Sequence, residues 1–344
     1  MPETDNLRRW DGARRGHYEV WYVTLNHLAS NTGYWIRYTM DAPIDGVGEP
    51  FAQLWFAHFD ANDPSRTFAI NQKFPIELMM ATEAPFVLGI GDNQLRHDGA
   101  RGKLSGSGHD VAWDLSWPPA SQTHRHLPKV MYSGGGRGDT TVLSPNLNVA
   151  INGTIRVDGT THELADSPGG QTHLWGKKHA HAWAWGHCNA FDGHPDAALE
   201  TLTVRLKKRG RVLPPMTITS LYVDGHAYKF TEFHHTLRNR GQFGTASYEF
   251  RARSHRHWLE GVYSCRPEDM VVATYEDPDG ELSYCSNTEA GNLQVNLYER
   301  SGLRSRWRQI AALSAPGRGH FEVGGRQRDP LVEKDHVTLL QDAP

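Results

Sequence analysis

Apolar and polar residues alternate along most of this chain with a period of two, which is typical of β-strands. The clearest alternating segments carry these apolar positions: Tyr34, Ile36, Tyr38 and Met40; Val111, Trp113, Leu115 and Trp117; Leu202, Val204 and Leu206; Tyr248, Phe250 and Ala252; Leu293, Val295 and Leu297. Such alternation predicts antiparallel sheet with one face in a core. Only residues 303–313 fit a helix, and they fit a strand equally well. The pattern therefore predicts a nearly all-β fold, as barrels or sandwiches.

Turn signals separate many of these segments. Asn152-Gly153 is one such signal. Seven Asp-Gly pairs are the others, and they begin at Asp11, Asp45, Asp98, Asp158, Asp192, Asp224 and Asp279. These residue types adopt the left-handed backbone that two-residue hairpin loops require. The spacing predicts hairpins between sequential strands.

The most informative segment is residues 179–191, where large and small side chains alternate. The odd positions carry the large side chains His179, His181, Trp183, Trp185, His187, Asn189 and Phe191. A helix would place Trp183 and Trp185 on roughly opposite sides, so a strand is favoured. Its small face can pack closely against another layer, and its large face then borders a core or a cavity. The segment predicts the wall of a pocket.

The 344 residues predict two domains, since domains usually contain about 100–200 residues. Glycine-rich breaks fall at residues 133–138 and 167–170. We interpret the first as a loop over a barrel mouth, because it lacks the Lys-Ser/Thr ending and the following helix of a phosphate-binding loop. The second precedes the 179–191 segment. We therefore predict an N-terminal domain at residues 1–178 and a C-terminal domain at residues 179–344.

Composition narrows the classes of function. The formal charge of -3 and the 38% hydrophobic content argue against disorder and against a nucleic-acid partner. The first residues are polar, and no apolar run is long enough to span a bilayer, so we expect a cytoplasmic protein without a transmembrane segment. Three cysteines without a CxxC pair predict reduced thiols. Twenty histidines and eleven tryptophans suit a cavity for a hydrophobic small molecule.

Alternate histidines on a strand point the same way and can bind one metal ion. Three such pairs occur: His124 and His126, His179 and His181, His255 and His257. His187 or His173 could complete the second pair, and Glu260 follows the third at nearly the spacing of a cupin site. Because 20 histidines produce such pairs by coincidence, a metal ranks below an apolar cavity, and we expect neither metal nor cofactor.

Acid catalysis on an apolar substrate suits the aromatic face better. Protonation of a carbon-carbon double bond needs an acid in a dry cavity and aromatic rings beside the resulting cation. Trp183 and Trp185 would supply the rings, and the strand histidines a proton. Glu19 and Asp192 are the candidate acids. The alternative is that Glu19 pairs with an arginine, that Asp192 only forms a turn and that the tryptophans are core residues.

Three motifs add a resemblance that covers nearly the whole chain. Glu19-Val20-Trp21-Tyr22 resembles a Glu-Trp-Trp-Tyr motif, His173-Leu174-Trp175-Gly176 resembles a His-x-Trp-Gly motif, and Trp183-Ala184-Trp185 with Asn189 and Phe191 resembles the aromatic strand that follows it. In this order they are typical of the carotenoid 1,2-hydratases, the tocopherol cyclase-like proteins and their AttH-type lipocalin-like relatives. Val20 replaces the first tryptophan, and Thr172 replaces the aspartate that commonly precedes the histidine.

The resemblance implies two lipocalin-like antiparallel β-barrel domains in tandem, with an apolar cavity formed by them or between them. It also implies that His173 and Trp175 line a site where an isoprenoid double bond is protonated. Combined with the residue patterns, it gives candidate catalytic residues His173, Glu19 and His187, and candidate substrate-binding residues Trp21, Trp175, His179, His181, Trp183, Trp185 and Asn189.

Three hypotheses follow for the function. The first is a cofactor-free hydratase or cyclase that protonates a double bond of an isoprenoid or polyene substrate. The second is a lipocalin-like carrier that binds a hydrophobic ligand without changing it. The third is a metal-dependent β-barrel enzyme that uses the paired histidines.

Overall fold

The computed structural model describes residues 2–128, 131–132, 140–236, 238–302 and 304–339. The strands of the first half are β1 His17–His27, β2 Thr32–Ala42, β3 Phe51–Asp60, β4 Phe68–Pro75, β5 Met79–Glu83, β6 Phe86–Ile90, β7 Asn93–Arg96, β8 Gly99–Gly106, β9 His109–Ser116, β10 His124–Arg125, β11 Thr140–Val157 and β12 Thr160–Gly176. Those of the second half are β13 Ala182–Cys188, β14 Ala198–Arg205, β15 Lys207–Lys208, β16 Arg211–Val212, β17 Met216–Val223, β18 His226–Phe230, β19 Arg240–Gly244, β20 Ser247–Arg253, β21 His257–Ser264, β22 Val271–Glu276, β23 Leu282–Glu299, β24 Arg308–Gly325 and β25 Val337–Leu339.

Helical segments are short. The α-helix α1 covers Phe233–Thr236, and 3-10 turns cover Pro2–Asn6, Pro64–Arg66, Ile76–Leu78 and Pro267–Asp269. The nearly all-β prediction is therefore confirmed. Within the described residues, no helix has the length and apolar character that crossing a membrane would require.

Two large sheets contain almost all of the strands. The first has 13 strands in the order β25-β4-β3-β2-β1-β12-β11-β9-β8-β7-β6-β5, with β10 beside β11. The second has 10 strands in the order β18-β17-β14-β13-β24-β23-β21-β20-β19, with β22 beside β23. Over the described ranges neither sheet closes on itself, so the predicted barrels are open sheets here. The chain changes sheets at residues 177–181, and β25 returns to pair in parallel with β4. The domain division at residue 178 stays a prediction.

Hairpin turns follow the Asp-Gly signals at several positions. Asp158-Gly159 joins β11 to β12, and Asp224-Gly225 joins β17 to β18; both residues of each pair have positive φ. Asp98-Gly99 differs, because Gly99 begins β8 with its backbone against Leu115. Its sequence signal therefore marks a strand start and not a left-handed turn.

The structure corrects the prediction for residues 167–170 and decides between helix and strand for residues 303–313. The predicted break at residues 167–170 lies inside β12, where irregular pairing with β11 accommodates Gly169 and Gly170 close to neighbouring backbone. Of the two readings of residues 303–313, the strand is observed from Arg308 onward, as part of β24. The glycine-rich residues 133–138 lie outside the described residues.

Alternation along the strands separates three apolar clusters. Trp21, Val23 and Leu25 of β1 face the core of the first sheet. Tyr18, Val20 and Tyr22 face the opposite way, into a cluster shared with Trp183 and Trp185 of β13. Ala184 and Cys188 belong to the core of the second sheet. The large face of β13 thus lies between the two sheets.

The small face of β13 permits close packing, as the alternation predicts. A Cβ atom at Gly186 would lie 2.5 Å from Cε2 of Tyr263, whose ring is fully buried. Strand β13 begins only at Ala182, so residues 179–181 precede the strand. The alternating sequence is longer than the paired segment because residues 177–181 form the crossover between the sheets.

Gly186→Ala should therefore destabilise the protein. Overpacking against a buried ring is expected to lower the free energy of unfolding by about 1–3 kcal/mol, as measured by urea denaturation. Gly48→Ala is the matched control, since its Cβ would meet only Pro43 at 3.8 Å. If both variants had the same free energy of unfolding, the Tyr263 ring would be able to move aside without destabilising the protein.

Candidate functional site

A cavity of about 1240 Å³ lies between the two sheets. Tyr18, Tyr22 and Trp35 border it from the first sheet, and Trp183 and Trp185 border it from the second. The side chains come from strands whose other faces fill the two cores, so the cavity is a space between layers. Its lining is mainly apolar, and a concave, mainly apolar site is the usual form of a small-molecule site.

The structure places four of the predicted substrate-binding residues on the cavity wall: His179, His181, Trp183 and Trp185. Both indoles are anchored by carboxylates. Nε1 of Trp183 donates to Glu322 at 2.7 Å, and Nε1 of Trp185 donates to Glu200 at 2.9 Å. These bonds fix the orientation of both rings at the cavity wall.

His179 is fixed at the rim of the cavity. Its Nδ1 donates to Asp277 at 2.6 Å, and its ring stacks on Tyr18 at 4.7 Å between centroids. Arg326 donates to both Asp277 and the carbonyl oxygen of His179. Burial alone would raise the pKa of Asp277, but the bonds from His179 and Arg326 hold it at about 2. His179, Asp277 and Arg326 therefore bind one another in a single network.

A second group of titratable side chains lies at the inner wall. Nε2 of His126 is 3.5 Å from Oε2 of Glu200, and Nδ1 of His187 is 3.4 Å from Oε1. His126 borders the cavity, whereas His187 stacks behind Trp185. Burial would raise the pKa of Glu200, but the two imidazoles hold it at about 2. The ring nitrogens of both histidines have no hydrogen-bond partner among the described residues.

This second group has the chemistry of a proton donor. An ionised carboxylate stabilises an adjacent imidazolium, and an imidazolium that borders an apolar cavity can protonate a bound substrate. The sequence signal for His126 was its place in a His-x-His pair. Glu200 was not among the candidate acids, although it interrupts the apolar positions of β14 as Glu19 interrupts those of β1.

Glu19 and His173 lie on the other side of the first sheet. Nε2 of His173 donates to Glu19 at 2.8 Å, and Nδ1 donates to the carbonyl oxygen of Asp5 at 2.7 Å. Glu19 also accepts from the backbone N–H groups of Arg9 and Trp10. Two donating ring nitrogens require an imidazolium, so the pair is a fully buried ion pair.

The structure therefore places the candidate residues of the first two motifs away from the cavity, and their catalytic and binding roles stay predictions. Trp21 donates to the carbonyl oxygen of Asn6 at 2.8 Å and stacks on His173. Trp175 is half-buried under the guanidinium of Arg9. With Glu19, these side chains hold the N-terminal segment against the sheet and do not border the cavity. The pleat of β1 and β12 decides this, because alternate residues point to opposite faces.

Asn189 also lies away from the cavity wall. It donates to Asn148 at 3.0 Å and to the carbonyl oxygen of Gly169 at 2.8 Å, which ties the two sheets together. Asp192, the other candidate acid, is an exposed turn residue paired with Arg318. Its turn role matches the alternative interpretation.

The paired histidines do not form a metal centre in the described part of the chain, where no three His, Cys, Asp or Glu side chains come together to hold an ion. His124 engages the hydroxyl of Tyr222 at 2.8 Å, whereas His126 points to Glu200. His173 is separated from His179 by the sheet. The histidine spacing in the sequence therefore does not produce convergent ligands.

The buried carboxylates predict acid sensitivity. Burial alone would raise the pKa of Glu19, but His17 and His173 hold it at about 2. The pKa values of Glu200 and Asp277 are held at about 2 in the same way. In the unfolded chain these groups take up protons at higher pH, so their stabilisation is present above about 4.5 and is lost as pH falls toward about 2. We expect the urea midpoint to fall over this range. A constant midpoint would contradict the ion-pair assignments.

Comparison with known proteins agrees with this architecture. Residues 142–325, more than half of the chain, match the family model described as tocopherol cyclase-like. The Uncharacterized protein Rv0493c of Mycobacterium tuberculosis is 30% identical over 332 residues, which cover 93% of this chain and 89% of the relative.

Two crystal structures share the fold. A protein assigned as AttH from Nitrosomonas europaea has a TM-score of 0.58 at 15% identity, covering 94% of this chain and 98% of its own. Kievitone hydratase from Nectria haematococca has a TM-score of 0.52 at 10% identity, covering 89% and 88%. The all-β lipocalin-like fold is confirmed, and so is the resemblance seen in the motifs. This chain belongs to the tocopherol cyclase-like family.

Proposed function

We propose that this protein is an enzyme of the hydratase or cyclase type, which protonates a carbon-carbon double bond of an apolar, isoprenoid- or polyene-like substrate between the two sheets. The observation that carries the proposal is the pairing of His126 with the ionised Glu200 at the wall of an aromatic cavity. The tocopherol cyclase-like family and the hydratase among the structural neighbours support the reaction class.

In this mechanism His126 is the acid. Transfer of its proton to one carbon of the double bond leaves a carbocation on the other, and Glu200 stabilises the imidazolium before the transfer. Trp183 and Trp185 lie beside the cavity with their indole faces fixed, where they stabilise a developing cation. Water then attacks in a hydration, or a second double bond attacks in a cyclisation, and the resulting cation loses one proton, which restores His126 to its acid form.

A panel of isoprenoid and polyene compounds incubated in D2O tests the reaction. Hydration adds deuterium to the protonated carbon and an OD group to its neighbour. Cyclisation adds deuterium to the protonated carbon, while one hydrogen is lost from another position when the cation is deprotonated. Product with carbon-bound deuterium, formed only with the protein present, is the expected result. Cyclised or hydrated product without deuterium would exclude protonation by a solvent-exchangeable acid.

A carrier is the second candidate, and one observation favours it. The motif histidine His173 is sealed behind the sheet, away from the cavity. If no compound is converted but polyenes quench the fluorescence of Trp183 and Trp185, the protein binds its ligand without reaction.

A further inference from the structure

A buried arginine lies in the wall of this mainly apolar cavity. Arg37 of β2 is only 4% exposed, and it borders the cavity from the first sheet. Its Cζ is 4.0 Å from the ring centre of Tyr275, 5.6 Å from that of Trp35 and 5.9 Å from that of Trp55. Three rings therefore hold the guanidinium at a fixed place.

Arg37 forms no ion pair or hydrogen bond with the described residues, and its buried Nε has no partner. Neighbouring acids are neutral or engaged elsewhere. Burial raises the pKa of Asp41, on the same face of β2, to about 8 in spite of Arg37. Glu322 accepts from Trp183, and Asp277 is bound by His179 and Arg326.

A buried cation without a counter-ion is costly, because desolvation of its charge is not compensated. Aromatic faces offset part of that cost, but they cannot accept the N–H bonds that lie in the plane of the guanidinium. The planar fork of N–H groups matches a carboxylate or a similar pair of oxygens. The cavity therefore has a built donor site that its own side chains leave unfilled.

The charge of the lining favours the same kind of ligand. The basic residues among the described lining are Arg15, Arg37, Lys177, Lys178, Lys207 and Arg326, and the acidic ones are Asp279, Glu281 and Glu322. Arg15, Lys178 and Arg326 are paired with carboxylates, so the positive charge that can attract an anion is that of Arg37, Lys177 and Lys207. A neutral hydrocarbon would gain nothing from this arrangement.

We propose that Arg37 binds an anionic oxygen group, a carboxylate or an enolate, at one end of an otherwise apolar substrate. The substrate is then an unsaturated amphipathic acid and not a neutral hydrocarbon. This inference rests on the proposed function only in taking the cavity as the substrate site. It adds that the anionic end fixes which double bond reaches His126.

A matched ligand pair tests the inference: octadecatrienoic acid and the corresponding primary alcohol, titrated by tryptophan fluorescence and calorimetry. The wild-type protein is expected to bind the acid about 10- to 100-fold more tightly. Arg37→Gln is expected to bind the acid only as tightly as the alcohol. Its affinity for the alcohol should equal that of the wild-type protein. Arg15→Gln, at the rim, is the control that keeps the preference.

Each outcome separates the two proposals. Equal affinity of the wild-type protein for acid and alcohol would overturn the anion site and leave the apolar cavity intact. No binding of either compound would overturn the cavity as the site. If Arg37→Gln does not fold, Arg37→Lys decides: it keeps the charge but loses the fork, so a reduced preference for the acid is expected, and an undiminished one would contradict bidentate binding.

Discussion

His126→Gln is expected to lower turnover by about 10²- to 10⁴-fold, the usual contribution of a general acid. The substitution removes the proton donor that borders the cavity and leaves the indoles of Trp183 and Trp185 in place. Ligand affinity should therefore be retained. Rate measurements on the compound found by deuterium incorporation, together with fluorescence titration of the same compound, separate the two effects.

His162→Gln is the matched control. His162 is also a buried histidine, but it bonds to Tyr34 in the core of the first sheet at 2.8 Å and does not border the cavity. Full turnover in this variant and loss in His126→Gln would assign the proton to His126. Unchanged turnover in His126→Gln would remove it from the mechanism.

His173→Ala is expected to lower the free energy of unfolding by about 3–5 kcal/mol, because it leaves one member of a buried ion pair without its partner. Glu19 would keep its bonds from the backbone of Arg9 and Trp10 but lose its cationic neighbour. Denaturation in urea measures the loss. Turnover per folded molecule should remain close to that of the wild type.

The exposed pair of His109 and Asp158 supplies the control, since it has similar partners at 28% and 41% exposure. His109→Ala should cost about 1–2 kcal/mol, because it loses a solvent-screened ion pair and the stacking of its ring on Phe68. If His173→Ala instead kept its stability and lost turnover, His173 would be catalytic as the motif resemblance implies. That result would place the reaction on the opposite side of the first sheet.

Strand positions could be predicted from the sequence because the period of two survives wherever one face is buried. The segments around Tyr38, Trp113, Leu202, Phe250 and Val295 are all strands, each with its apolar side in a core or cavity. Asp158-Gly159 and Asp224-Gly225 also identified their hairpins, since left-handed turns leave a chemical signature.

The two faces of a strand could not be assigned from the sequence in the same way. Glu19 and Tyr22 are close in one motif, yet one meets the N-terminal segment and the other the cavity. Both faces of β1 are buried, so polarity does not distinguish them. Only the packing of the second sheet shows which face borders the space between the sheets.

The contact between His126 and Glu200 could not be predicted from the sequence at all. His126 follows the two-residue strand β10, and Glu200 belongs to β14 in the other sheet. No local pattern connects them, because their contact arises only when the sheets pack together. By contrast, one short alternating segment predicted Trp183 and Trp185 at the wall of a pocket, and both border the cavity. Their role in substrate binding stays a prediction.

Location of a bound ligand tests the account most directly. The protein should be crystallised with an unsaturated fatty acid that carries bromine at the end of its chain, and the bromine located by anomalous scattering. We predict a peak between the sheets, within the space bordered by Trp183, Trp185 and His126. A peak on the other face of the first sheet, beside Glu19 and His173, would contradict the account.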